Sequence, residues 1–107
     1  MTTNDSGNSW NALADGTRRS IVALLADGPS AVGELAAHLP VSRSAVSQHL
    51  KVLKDAELVS EQVAGTRRIY HLNPIALAAL RDQIDTYWRR ALTGYADAVR
   101  EETQEGQ

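Results

Sequence analysis

Serine, arginine and glutamine gather on one side of the stretch Val41-Ser42-Arg43-Ser44-Ala45-Val46-Ser47-Gln48-His49-Leu50-Lys51-Val52-Leu53-Lys54-Asp55-Ala56. Read at a helical period, Val46, Leu50 and Leu53 fall at spacings of four and three, with Ala45, His49, Val52 and Ala56 beside them. The opposite side carries Arg43, Ser44, Ser47, Gln48, Lys51, Lys54 and Asp55. These are short or fork-shaped hydrogen-bonding groups with a basic balance, which is the chemistry a DNA major groove demands. Serine and glutamine can meet base edges or phosphates, and arginine can fork onto guanine. An ordinary solvated helix face mixes Glu with Lys, whereas this one holds a single acid, Asp55, near its end. The face by itself leaves a plain surface helix open, and the flanking segments decide between the two.

Ser42 is placed to cap this helix through its hydroxyl. Ahead of it, Ser30 is expected to cap a short helix over Ala31–His38, with Val32, Leu35, Ala36 and Leu39 as its apolar positions. Pro40 ends that helix, because the residue before a proline is pushed out of helical geometry. Only Pro40 and Val41 then separate it from the Ser42 cap, the spacing of a helix-turn-helix, although an αα-hairpin that merely packs has the same spacing. Further upstream, Trp10 and Leu13 begin a short first helix. Asp15 is placed to cap a second one through Asp27, lined by Ile21, Leu24 and Leu25 and stopped by Gly28-Pro29. Residues 1–8 are too polar to pack and read as a disordered tail.

Downstream, the β-rich runs Leu58–Val63 and Arg67–Leu72 flank Ala64-Gly65-Thr66 and read as a hairpin. Its tip offers Thr66, Arg67 and Arg68 to a phosphate backbone, the form of a wing, while a solvated loop is the plainer alternative for such a pair of arginines. Asn73-Pro74 opens the last helix as cap and first helical residue. Leu77, Leu80, Ile84, Tyr87, Ala91, Tyr95 and Val99 run down one stripe, widened by Trp88 and Leu92. That stripe is longer than a small core can cover. A dimer partner is the simplest surface for Tyr87, Trp88 and Tyr95, with a ligand pocket between protomers the second. Residues 101–107 are polar and expected to fray, leaving 9–100 as one domain for DNA binding and dimerisation. The expected fold class is mainly α with a small β-hairpin (α+β), a dimeric winged helix-turn-helix.

At 107 residues, with 43% apolar content and no Phe, the core is modest, so burial at an oligomer interface is a reasonable expectation. The absence of cysteine excludes disulfides and thiolate metal sites. No apolar run approaches the roughly 20 residues that cross a bilayer, and the N-terminus lacks a signal-peptide pattern, so a soluble cytoplasmic protein without membrane contact is expected. The net charge of -2 conceals an asymmetry. Residues 42–68 hold five Lys+Arg against three acids, while the segments on both sides are net acidic. Charge distribution thus favours double-stranded DNA as a partner where the total does not.

Residues Ser42 to Leu53, with Ala12-Leu13-Ala14-Asp15-Gly16-Thr17-Arg18-Arg19 before them and Gly65-Thr66-Arg67-Arg68-Ile69-Tyr70 after, resemble the ArsR-type winged helix-turn-helix repressors. Leu72-Asn73-Pro74 and Tyr87-Trp88-Arg89-Arg90 are similar to a metal-independent, actinobacterial-like branch. The resemblance implies a homodimer that binds an inverted repeat and blocks transcription, often of its own operon. It implies DNA contacts from Arg43, Ser44, Ser47 and Gln48, with Arg67 and Arg68 on the wing; Lys51 on the outward face and Thr66 at the hairpin tip are expected to join them. The dimer would be joined through Trp10, Leu13, Leu80, Ile84, Tyr87, Trp88, Ala91 and Tyr95. His49 matches a common family position, but the helical wheel turns it inward as a packed, hydrogen-bonded residue.

Three departures stand out. Glu57 occupies a position where the family often has Gly, so a less sharply capped exit from the reading helix is expected. Gly16 stands where Pro is frequent. Glu34-Leu35-Ala36-Ala37-His38 replaces the cysteine pair of metal sensors, and the last helix has Asp82 and Asp85 without histidine. His38, His49 and His71 fall on separate elements, so no metal and no cofactor is expected. An unidentified small-molecule or protein effector stays open. A winged-helix protein-interaction module without DNA binding is the second functional class. It is disfavoured because a lost reading surface would be expected to acquire acids or bulky apolar residues. An enzyme is the third class, and no nucleophile–base–orienter set or phosphate loop can be assembled for it.

Overall fold

A computed structural model describes residues 5–105. The elements run α1 (Asp5–Ala12), α2 (Gly16–Ala26), β1 (Ser30–Ala31), α3 (Val32–Ala37), α4 (Arg43–Asp55), β2 (Val59–Ala64), β3 (Arg67–Leu72) and α5 (Pro74–Glu105). The chain divides into one compact unit through Leu77 and a second from Ala78.

Local chemistry explains most boundaries of the first unit. The Asp15 carboxylate accepts from Arg18 N at 3.0 Å and caps α2, and Gly28 then takes φ +151°, a backbone state closed to most side chains. The Ser42 hydroxyl accepts from Ala45 N at 3.1 Å and starts α4 as expected. Between them the expectation fails in one respect. Ser30 does not cap α3; it pairs with Tyr70 while Ala31 pairs with Ile69, adding a strand beside the hairpin in the order β1-β3-β2. The start of α3 is instead held by the Glu34 carboxylate, which accepts from Ala31 N at 2.8 Å. Two residues are too short for a period-two pattern, and only the free edge of β3 makes them a strand.

The N-terminal boundary also moves. Helix α1 begins at Asp5, so residues 5–8 of the expected tail are helical and residues 1–4 lie outside the described residues. Tertiary contact supplies what composition lacks: Ser9 is buried and its hydroxyl donates to Ala56 O at 3.4 Å. The carbonyls at the end of α1 accept from α2, Ala12 O from Arg18 Nε at 2.6 Å and Leu13 O from Arg19 Nη1 at 2.9 Å. In the second unit α5 continues to Glu105 through the segment expected to fray from Glu101, and no glycine or proline interrupts it there.

Ile21, Leu25, Leu35, Val46, Leu50, Leu53, Leu58 and Val59 form the core, drawn from α2, α3, α4, β2 and the turn before β2. Each such side chain stabilises by about 1.5–3 kcal/mol when fully buried. Val52 departs from the expected inward face and is 40% exposed. At ~100° per residue it sits about 120° round the helix from Val46, at the margin of the apolar stripe.

The exit of α4 reverses another expectation. Glu57 adopts φ +64°, its N–H donates to Lys54 O at 2.9 Å, and Leu58 N donates to Leu53 O at 3.0 Å. This is a Schellman ending made without glycine. Asn73 secures it by donating from Nδ2 to Glu57 O at 3.0 Å, and its Oδ1 accepts from Ile75 N at 3.1 Å to cap α5.

Candidate nucleic-acid interface

Burial of Val46, Leu50 and Leu53 fixes the rotation of α4 and turns Ser44, Ser47, Gln48 and Lys51 outward. These four are exposed at spacings of three, one and three, a single stripe along the helix. His49 faces the other way, half-buried, where its Nδ1 lies 3.3 Å from Arg18 Nη1. A guanidinium only donates, so Nδ1 is the accepting atom wherever this contact is a hydrogen bond.

Arg43 opens the stripe, and its guanidinium lies across α3. A Cβ built on Gly33 would stand 3.2 Å from Arg43 Nη2. A side chain at Gly33 would make the guanidinium give by a few tenths of an ångström. This contact was invisible in the sequence, where Gly33 is only an apolar-neutral position in a short helix.

The hairpin differs from expectation by one residue. Ala64 pairs with Arg67, so the connection is the two residues Gly65-Thr66 and not three. Gly65 has φ +67° at the first central position, as a type II′ turn requires. The tip from Gln62 to Arg68 is exposed, which presents Thr66, Arg67 and Arg68 as a wing.

The wing arginines are nevertheless engaged. Arg67 Nη2 lies 3.1 Å from Glu34 Oε1 on α3, and Arg68 Nη1 lies 3.0 Å from Glu61 Oε2 on β2. The other oxygen of Glu61 takes the ammonium of Lys54 from the last turn of α4. Lys51 pairs along its own helix with Asp55 at 2.9 Å. Of the five cations in the net-positive third, Arg43 alone lacks a carboxylate partner among the described residues. With Lys54 and Arg68 both donating to it, the Glu61 carboxyl is held at about 2, well below its ordinary 4.5. Burial, and after it the Glu61 carboxylate, pushes the neighbouring Tyr70 phenol up. A groove of about 260 Å³ runs between helix and wing, lined by Ser47, Leu50, Lys51, Lys54, Asp55, Glu61 and Tyr70.

Sequence reading had missed Glu34, Glu61 and Gly33. For Glu61 a signal existed: a two-residue turn at Gly65-Thr66 sets the register that puts Glu61 opposite Tyr70 and diagonal to Arg68. Reading the turn as three residues hid it.

On α5, Ile84, Tyr87, Trp88, Leu92, Tyr95 and Val99 are between 41% and 70% exposed. Ala91 is exposed too, and Trp10 and Leu13 are half-buried. Leu80, also in the expected dimer set, is 5% exposed in the single chain.

Comparison with known proteins agrees with this geometry. The family model for bacterial regulatory proteins of the arsR family matches residues 15–61, from the α2 cap to Glu61. The HTH-type transcriptional regulator Rv2034 of Mycobacterium tuberculosis is 67% identical over 91 residues, covering 85% of both chains. The transcriptional repressor SdpR of Bacillus subtilis is 39% identical over 70 residues, covering 65% of this chain and 78% of SdpR. Among solved structures, a possible transcriptional regulator for arsenical resistance superposes with TM-score 0.70 at 47% identity, over 76% of this chain and 84% of the other. The homodimeric winged helix-turn-helix domain of Mb0332 from Mycobacterium bovis gives TM-score 0.67 at 29% identity, over 83% and 82%. An exposed polar stripe on a capped helix, a wing beside it and these likenesses converge: the chain belongs to the ArsR family and is a winged helix-turn-helix transcriptional regulator.

Proposed function

We propose that the chain acts in the cytoplasm as an autoregulating repressor, a homodimer on an inverted-repeat operator in double-stranded DNA. It would work by occupying that DNA, not by catalysis. The carrying observation is the outward stripe Arg43, Ser44, Ser47, Gln48 and Lys51, held in place by the buried side chains of Val46, Leu50 and Leu53 on the other side of α4. In a symmetric pair the two reading helices would enter successive major grooves about 34 Å apart, with Thr66, Arg67 and Arg68 on the flanking backbone. The apolar stripe of α5 supplies the dimerising surface, and the homodimeric relative supports that assignment. Repression is proposed to run without the family's cysteine or histidine metal sites. The chain has no cysteine, and His38 follows the end of α3 while His49 lies on α4 and His71 on β3. Any inducer is then a small molecule or protein of another kind.

Footprinting on the DNA flanking the chain's own gene tests the reading. Protection of a two-fold symmetric site is expected, and Arg43→Ala should cost on the order of 1–3 kcal/mol and relax base preference. If no site is protected and Arg43→Ala changes nothing, the module binds protein and not DNA.

A further inference from the structure

Resting on that reading, we infer that Glu61 is a positioning residue that withholds Lys54 and Arg68 from phosphates and so limits sequence-independent binding of duplex DNA. Glu61 sits on β2 between the last turn of α4 and the wing, and each of its oxygens takes one cation. Its side chain is 15% exposed, against 49% for Lys54 and 65% for Arg68. The carboxylate therefore lies behind the two cations, and the trio presents one net positive charge where two cations stand. Glu61 also lines the groove between reading helix and wing, the place where a backbone would pass.

The base-facing residues Arg43, Ser44, Ser47 and Gln48 take no part in this trio. Removing the carboxylate's charge therefore strengthens phosphate attraction and leaves base reading untouched. Glu34 holds Arg67 in a looser way: both partners are 57% exposed, and the same Oε1 also serves Ala31 N at the start of α3. Glu61 is the cleaner test because no helix start depends on it.

The experiment titrates an unrelated duplex with wild-type protein and Glu61→Gln across a range of salt. Each phosphate newly neutralised steepens the slope of log affinity against log salt by about 0.9, which at ~0.1 M salt is about eightfold tighter binding. Adding Lys54→Gln and Arg68→Gln to Glu61→Gln should return the slope to wild type or below, showing that the gain flows through those cations. Lys54→Gln and Arg68→Gln should each flatten the wild-type slope by about 0.9 and together by little more, because losing either cation leaves the other tied to Glu61; that comparison keeps the question open to measurement if Glu61→Gln does not fold. Equal or weaker binding by Glu61→Gln at an unchanged slope, or an additive flattening of about 1.8 by Lys54→Gln and Arg68→Gln together, overturns the inference. If wild-type protein binds no duplex even at low salt, the DNA reading falls as well; if it binds, only the inference is at stake.

Discussion

At the scale of single residues, Glu57 shows a side chain accepting a conformation that suits it poorly. Its φ of +64° is needed because the last turn of α4 must close on Leu58 within two residues, and Leu58 must reach the core. A non-glycine residue in the left-handed region costs roughly 1–2 kcal/mol. The Asn73 bond to Glu57 O and the burial of Leu58 offset that cost. Glu57→Gly should therefore stabilise the fold by about 0.5–1 kcal/mol, net of glycine's extra entropy loss. That gain would raise the melting temperature by a few degrees, readable by thermal unfolding. A lower melting temperature would mean that the Glu57 side chain contributes more than its backbone strain removes.

At the scale of elements, the wing and the reading helix are joined through charge as well as through the sheet. Glu61 ionises in the fold at about 2 in place of 4.5, so its pairing stabilises the native state fully above about pH 4.5 and is lost as pH falls toward 2. The Asp15 cap, also lowered, chiefly by the Arg18 backbone N–H, works in the same direction below its ordinary 3.8. Urea midpoints should hold steady from neutrality to about pH 5 and then drop. Glu61→Gln should drop less steeply, retaining only the share that belongs to Asp15 and other carboxylates. Parallel curves for the two proteins would show that the Lys54–Glu61–Arg68 trio adds nothing to stability.

At the scale of the whole molecule, α5 leaves six large apolar side chains between 41% and 70% exposed on one helix. A contiguous apolar face of this kind is uncommon on a lone soluble chain and normally marks an interaction surface. If it seals a homodimer, Trp88→Glu should place a charge in the seam and leave a folded monomer by sedimentation. Operator affinity should then fall by orders of magnitude, because one half-site no longer helps to hold the other. A variant that stays dimeric would move the seam elsewhere and leave the aromatic stripe to a ligand.

From the sequence alone, the helix-turn-helix spacing, the Asp15, Ser42 and Asn73 caps, and the outward stripe of α4 were all determined. Each depends on residues within a few positions of one another, where capping and helical periodicity act. What only the tertiary structure decided is long-range. Strand β1 exists because β3 offers an unpaired edge, and α1 extends to Asp5 because Ser9 docks on Ala56. Arg43 rests against Gly33, and the wing cations answer to Glu34 and Glu61. An ion pair between residues 33 positions apart leaves no periodic trace in a chain, since folding alone brings the two charges within reach.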